Sequence, residues 1–238
     1  MQNRILKRKA IMTTQGKFET DGLPTSAGDL SITFLGHGSL LMVFKRMNIY
    51  VDPFGKVADY ASLPKADLVF VTHEHFDHLD PQALSSIRTD KTLLVLTEIC
   101  AQQVTGGTVM RNGDVQTVAG IPVEAVASYN LVHKRPSGDP FHPKGCGNGY
   151  ILNFGDTRLY IAGDTENIPE MKALQDIAIA FLPMNLPYTM TPEMVADAAK
   201  AFRPRILYPY HYGDTDVSKL VELLKGEKEI EVRIRKMA

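Results

Sequence analysis

The stretch V-F-V-T-H-E-H-F-D-H-L-D, Val69 to Asp80, places three of the chain's seven histidines within six residues, with a carboxylate among them. His73, His75, Asp77 and His78 follow directly on an apolar run. Imidazole and carboxylate are the usual ligands of zinc, iron and manganese. Several such groups converging without partners would be costly to fold. A cation offsets that cost by turning their lone pairs into bonds. H-x-H-x-D-H behind an apolar run therefore reads as a metal-binding loop, against the plainer alternative of a solvated loop with scattered histidines.

Such a loop needs elements to aim it. D-L-V-F-V before the cluster reads as a buried strand, and Asp80-Pro81 after it starts a helix over D-P-Q-A-L-S-S-I-R, with Asp80 as cap and Pro81 first inside. Short apolar runs with strand character precede it: S-I-T-F-L-G, L-L-M-V-F-K and N-I-Y-V-D. K-T-L-L-V-L-T is a further strand, and V-Q-T-V-A-G-I-P-V-E-A-V-A-S a hairpin turning at Ala119-Gly120. Residues 130–149 are rich in Pro, Gly and basic side chains and read as a loop. Strands resume at G-Y-I-L-N-F, R-L-Y-I-A-G, I-A-I-A-F-L-P and R-I-L-Y-P-Y, with a helix capped by Thr191 before the last of these. A final helix puts Val217, Leu220, Val221 and Leu224 on one face and stops at Gly226; I-E-V-R-I-R-K alternates as a last strand.

A weak repeat runs through these elements. Asp52 and Asp164 stand 112 positions apart, and so do His73 and Asn185. Each half offers a strand ending in aspartate and a second strand ending in a polar side chain. Two similar halves packed face to face, with a site along a shared edge, would follow; chance likeness of short apolar strands is the alternative.

T-H-E-H-F-D-H, together with F-L-G-H-G-S-L-L, Y-V-D-P-F, Y-I-A-G-D-T and Y-P-Y-H-Y-G, resembles the metallo-β-lactamase superfamily over nearly all of residues 31–213. The likeness is nearest to its branch of ascorbate-6-phosphate lactonase-like and uncharacterised metal-dependent hydrolases. It implies a four-layer αβ/βα sandwich of two facing mixed sheets flanked by helices. It also implies two divalent ions, Zn²⁺ or Mn²⁺ first and Fe²⁺ as a third option. On the family pattern His73 and His75 hold the first ion, Asp77 and His78 the second; Asp164 bridges, and His211 completes the second. The first ion's third histidine is His142 by preference, with His133 or Asn130 as alternatives. Asp77 and His211 carry the catalytic expectation, a metal-held hydroxide attacking a carbonyl or phosphoryl group of a small anionic substrate such as a lactone or phosphoester. Asp52 and His37 are expected behind the ligands, and Asn185, Tyr188 and Tyr212 beside the substrate. Lys134, Arg135 and Lys144 offer charge to an acidic substrate. Rival readings are a non-hydrolytic metal-binding protein, a di-iron redox protein, and a phosphodiesterase or nuclease.

Composition bounds the rest. The 238 residues are 44% hydrophobic and 22% charged, with a net charge of −1, so broad capture of nucleic acid is not expected. Cys100 and Cys146 are too few for a disulfide framework, and no apolar run approaches the roughly 20 residues of a spanning helix. The basic start M-Q-N-R-I-L-K-R-K-A-I-M-T-T lacks a signal-peptide core, which points to a cytoplasmic protein. Residues 1–29 read as an arm and lead-in and residues 30–238 as one domain. A small-molecule substrate is the expected partner, and relatives suggest homo-oligomers.

Overall fold

Two sheets with the same internal plan make up the molecule. The computed structural model describes residues 18–238. The first sheet runs β1 (Glu19–Thr25), β2 (Gly28–Gly36), β3 (Ser39–Phe44), β4 (Met47–Val51), β5 (Leu68–Phe70), β6 (Leu93–Leu96) and β7 (Thr108–Val109), in that spatial order. The second runs β8 (Val115–Val118), β9 (Ile121–Ser128), β10 (Gly147–Phe154), β11 (Thr157–Ile161), β12 (Ile177–Pro183), β13 (Ile206–Tyr210) and β14 (Glu231–Val232). In each sheet the first four strands pair antiparallel and the remaining pairs are parallel. The repeat legible in the sequence is thus a repeat of topology: β4–β5 and β11–β12 are equivalent parallel pairs.

Helices α1 (Pro81–Ile87), α2 (Pro169–Lys172), α3 (Pro192–Phe202) and α4 (Val217–Leu223) cover the outer faces. Strand alternation sorts the apolar residues into layers. Leu30, Ile32, Phe34, Leu40 and Met42 face Phe154, Phe181 and Tyr208 between the sheets. Tyr50, Val69 and Leu94 point the other way, onto Ala83, Leu84 and Ile87 of α1. Ile151, Ala180 and Leu182 pack on Val195, Ala199, Phe202 and Leu220 of α3 and α4. The result is helix, sheet, sheet, helix, the expected four-layer sandwich. Each fully buried Leu, Ile or Phe contributes about 1.5–3 kcal/mol of burial free energy.

Capping follows the sequence signals. Asp80 Oδ1 accepts from the amides of Gln82 and Ala83, and Thr191 Oγ1 from Met194. Ala119 and Gly120 turn the β8–β9 hairpin with positive φ, 50° and 77°.

Some expectations are corrected. The lead-in assigned to residues 1–29 contains strand β1 from Glu19, and its basic portion, residues 1–14, lies outside the described residues. Asp21 explains why β1 docks although its sequence is turn-rich. Its carboxylate accepts from Tyr208 Oη at 2.5 Å, Arg235 Nη2 at 2.8 Å and Arg233 Nη1 at 3.3 Å, tying the first sheet's edge to the far end of the second. The expected last strand I-E-V-R-I-R-K is shorter in the structure, Glu231–Val232, with the Arg233 amide still donating to Leu207 O at 2.8 Å. On α4, Leu220 and Leu224 are buried as expected, but Val221 is 44% exposed. The single-turn α2 and the two-residue β7 are too short for a periodic signal.

Candidate metal centre

The site lies where loops after β4, β5, β11 and β13 meet the β2–β3 turn and the β9–β10 connection. Loop 72–79 leaves β5 and turns at once, because the amides of His78 and Leu79 both donate to the His75 carbonyl, at 2.9 and 2.8 Å. That turn aims His75, Asp77 and His78 to one side. Asp164 follows Gly163 (φ 66°), where a Cβ would stand 2.9 Å from Asn148 O and 3.1 Å from Thr72 Cβ, so only glycine lets the halves close here. The Asp164 carbonyl is fixed by Ser128 Oγ at 2.8 Å. His211, beyond β13, donates its amide to His37 O in the opposite half at 3.0 Å. His37, Asp52 and His211 all adopt left-handed backbone, φ 52°, 43° and 45°. Each such residue costs about 1–3 kcal/mol, strain of the kind that concentrates at functional sites.

Donor atoms gather in three overlapping groups: His73, His75 and His142; His73, His78 and Asp164; and His37, Asp77, His78 and His211, each within 4.8 Å. Asp164 touches both sides. Its Oδ2 lies 3.3 Å from His142 Nε2, 4.0 Å from His73 Nε2 and 3.5 Å from His211 Nε2, while Oδ1 lies 3.5 Å from His78 Nε2. Asp77 Oδ2 is 3.6 Å from His211 Nε2 and 3.9 Å from His78 Nε2. Most of these gaps are too long for hydrogen bonds. They are close to the roughly 3.3 Å that separates two ligands each about 2.0–2.1 Å from a tetrahedral zinc. His78 Nε2, His211 Nε2 and Asp164 Oδ1 are buried without any hydrogen-bond partner among the described residues. Orphans of this kind are rare in native proteins, and here they converge, so the donor set fits a divalent cation.

The protonation states fit as well. Burial, helped by repulsion from His78, holds His73 well below the usual imidazole range, and burial with repulsion from His142 lowers His75. Both imidazoles are therefore neutral, with a lone pair to give. Burial opposes charge on Asp77 and Asp164, but surrounding imidazoles keep both carboxyls below their usual range, His211 foremost in each case. Burial also opposes charge on His78, yet Asp164 and Asp52 override it and push it up to about 9, so an entering cation competes with a proton there.

A second layer orients these groups. Asp52, fully buried, accepts from Thr72 N at 2.8 Å, Thr72 Oγ1 at 2.6 Å and His78 Nδ1 at 2.8 Å, which makes His78 Nε2 the nitrogen that faces Asp164 and exchanges its proton for a cation. His37 Nε2 stands 3.0 Å from Asp77 Oδ2, with its ring 3.7 Å from that of His211. Asn185 Nδ2 lies 3.2 Å from His211 Nδ1.

His142 and His133 part company. His142 is 6% exposed and donates Nδ1 and its amide to Asn130 Oδ1, at 2.6 and 2.9 Å, turning Nε2 into the cluster. His133 Nδ1 instead lies 2.7 Å from Glu166 Oε1, outside the donor groups. Asn130 is not a donor in those groups but the support of His142. Glu166 had no place in the sequence reading. Its carboxylate accepts from the amides of Leu131, Val132 and His133 at 2.6–2.7 Å and from Asn130 Nδ2 at 3.0 Å. The available signal was its position two residues beyond Asp164 in G-D-T-E-N.

Of the expected substrate neighbours, Asn185 and Tyr188 line a cleft of about 390 Å³ over the cluster, with Phe76, Arg135 and Phe141. Tyr212 does not: its hydroxyl donates to Arg235 O at 2.7 Å, because its ring is drawn into the packing between the layers. Lys144 pairs with Glu170 at 2.7 Å, away from the cleft. A larger groove of about 800 Å³ lies beyond Phe76, but no histidine lines it. Neither cysteine belongs to a donor group. No helix among the described residues is long and apolar enough to cross a membrane.

Comparison with known proteins agrees with this geometry. The sequence model of the beta-lactamase superfamily domain matches residues 31–211. The UPF0173 metal-dependent hydrolase of Koribacter versatilis is 33% identical over 200 residues, 77% of this chain and 84% of the relative. A crystal structure of a candidate metal-dependent hydrolase from Parabacteroides distasonis superposes with a TM-score of 0.89 at 47% identity, over 93% of this chain and all of that one. CmlA, a diiron β-hydroxylase from Streptomyces venezuelae, shares the fold alone, at 16% identity and a TM-score of 0.67 over 89% of this chain and 53% of its own. The matched span and the cluster of His and Asp donors on two facing sheets lead to one conclusion: this chain belongs to the beta-lactamase superfamily and is a metal-dependent hydrolase.

Proposed function

We propose that the centre is binuclear and hydrolyses a carbonyl or phosphoryl linkage in a small anionic substrate of the lactone or phosphoester class. His73, His75 and His142 would hold one ion; Asp77, His78 and His211 the other; Asp164 would be shared. The observation that carries this reading is the place of Asp164, its oxygens 3.3–4.0 Å from histidines of both sets. When bound, such ions lower the pKa of water from 15.7 to about 7 and polarise the oxygen of the scissile group. A donor set of imidazole and carboxylate without thiolate suits Zn²⁺ or Mn²⁺, and accepts Fe²⁺.

The chain's own groups do the remainder. Asp77, ionised and held at Oδ2 by His37, can take the proton of the attacking water at its other oxygen, Oδ1. His37 Nε2–H keeps its hydrogen bond to Oδ2 throughout and fixes the orientation of the carboxyl. Asp52 and Asn130 keep His78 and His142 in the tautomer that presents Nε2. Asn185 does the same for His211 when its carboxamide oxygen faces Nδ1–H. The cleft of about 390 Å³ suits a small molecule.

The test is metal analysis with a lactone and phosphodiester screen on the wild type and Asp164→Ala. Two equivalents of metal are expected in the wild type. One or none, with loss of hydrolysis and a preserved far-UV spectrum, is expected in the variant. Full metal and full turnover in Asp164→Ala would overturn the reading.

A further inference from the structure

The loop that delivers His142 also delivers a cation with no ionic partner among the described residues. Arg135 sits at the neck of a tight turn, its amide donating to Asp139 O at 2.7 Å and Gly138 N returning to Arg135 O at 2.9 Å. The Asp139 carboxylate in that turn is taken by Ser137 Oγ at 2.8 Å. Among the described residues no carboxylate lies within 4.0 Å of the Arg135 guanidinium, whereas Lys144, Arg158 and Lys172 are each paired. Arg135 lines the cleft of the metal centre, its Cζ 5.2 Å from the Phe141 ring centroid. Its Nη2 donates to Phe141 O at 3.2 Å and stands 3.5 Å from His75 Nε2.

That last approach does not hold the guanidinium. His75 Nδ1 is the nitrogen 3.1 Å from His73 Nε2, the one turned into the cluster. With Nδ1 as the donor to a cation, His75 Nε2 carries the ring proton and cannot accept from an arginine. Arg135 is then left with one carbonyl and several free N–H groups directed at the cleft. A planar guanidinium backed by a ring is suited to a carboxylate or phosphate oxyanion.

The walls beside it are aromatic. Phe76 is 69% exposed and Tyr188 is 44% exposed, although both line the cleft. Tyr188 meets Phe141 edge-to-face at 5.0 Å. Exposed aromatic groups beside an arginine without an ionic partner among the described residues describe a subsite for an amphiphilic molecule. We propose that Arg135, with Phe76, Phe141 and Tyr188, binds a substrate by a distal oxyanion and an adjoining aromatic or apolar body. The proposal rests on the hydrolase reading above and narrows it: the anionic group recognised by Arg135 is not the group hydrolysed.

The test is calorimetric titration of the metal-loaded protein with benzylphosphonate, phenylacetate and uncharged benzyl alcohol, for the wild type and Arg135→Gln. The wild type should bind both anions more tightly than the alcohol. Arg135→Gln should weaken the anions about tenfold, the scale of one charge-assisted contact at a partly open site. It should leave benzyl alcohol within about twofold and the metal content unchanged. The larger loss, with phosphonate or with carboxylate, identifies which oxyanion the subsite prefers. Equal affinity of both proteins for the anions overturns the proposal, as does an equal loss for the alcohol, a fall in metal content, or a wild type that binds neither anion. Metal analysis of the same wild-type sample separates the two readings, because a single equivalent of metal held through His75 still frees Arg135 and keeps the contrast between anion and alcohol even if the binuclear centre is wrong.

Discussion

Asp52→Asn probes whether the centre depends on a residue that touches no cation. Asp52 is 0% exposed and satisfies three donors: Thr72 N–H at 2.8 Å, Thr72 Oγ1–H at 2.6 Å and His78 Nδ1–H at 2.8 Å. Asparagine keeps one acceptor oxygen and places an NH₂ where the other stood, so a donor faces Thr72 or His78. Losing a charge-assisted bond costs about 1.5–3 kcal/mol, and leaving a buried donor unsatisfied is of the same order. Part of that loss falls on folding, and the His78 share falls on metal binding, because the ring is no longer locked with Nε2 toward Asp164. Partners behind metal ligands are typically worth 10–100-fold in affinity, which is about 1.4–2.7 kcal/mol. The assay is competition with a chromophoric chelator, alongside thermal unfolding with and without Zn²⁺. Kd for one metal equivalent should rise about 10–100-fold. The metal-induced rise in Tm should shrink by about 3–10 °C for a chain of this size. A variant that binds metal within twofold of the wild type, with the full metal-induced rise in Tm, would refute the argument that Asp52 sets the His78 tautomer.

Two further perturbations reach other parts of the molecule. Glu166→Gln removes the carboxylate that gathers the Leu131, Val132 and His133 amides and Asn130 Nδ2; on the proposed binuclear reading the ion held through His142 should weaken about 10–100-fold and the other much less, and equal weakening of both in a metal titration would exclude the chain from Glu166 through Asn130 to His142. Asp21→Asn should lower stability by about 2 kcal/mol and Tm by about 4–8 °C, because the clamp to Tyr208, Arg233 and Arg235 loses its charge. Burial raises the Asp21 carboxyl, but Tyr208 and the two arginines outweigh it and hold it below its usual value. A folded pKa below the unfolded one adds stability above about pH 4, lost as pH falls through the folded value. Wild type should therefore lose in acid a stabilisation that Asp21→Asn lacks at every pH, and parallel pH–stability curves for the two proteins would remove Asp21 from that role.

What the sequence determined by itself was local. His73, His75, Asp77 and His78 lie in one short loop between a strand and a capped helix, so six residues of backbone turn are enough to aim them together. The alternating strands, the Asp80 and Thr191 caps and the hairpin at Ala119-Gly120 are likewise written in neighbouring residues. The 112-residue offset between Asp52 and Asp164 could be read because both close equivalent strands of a repeated sheet. Tertiary structure decided whatever depended on long, irregular chain. His142 rather than His133 enters the cluster because Glu166, 33 to 36 positions away from the amides and carboxamide it binds, pins residues 130–133 and takes His133 for itself. Arg135 is distinguished from Lys134 and Lys144 only by where that loop folds back. Tyr212 turns from the cleft to the Arg235 carbonyl, 23 positions on, and β1 is held through Asp21 by Arg235 from the opposite end of the chain. A side chain's neighbours along the chain set its local geometry, but which buried donors and acceptors meet across the sheets is settled only when the two halves close and every polar group must find a partner.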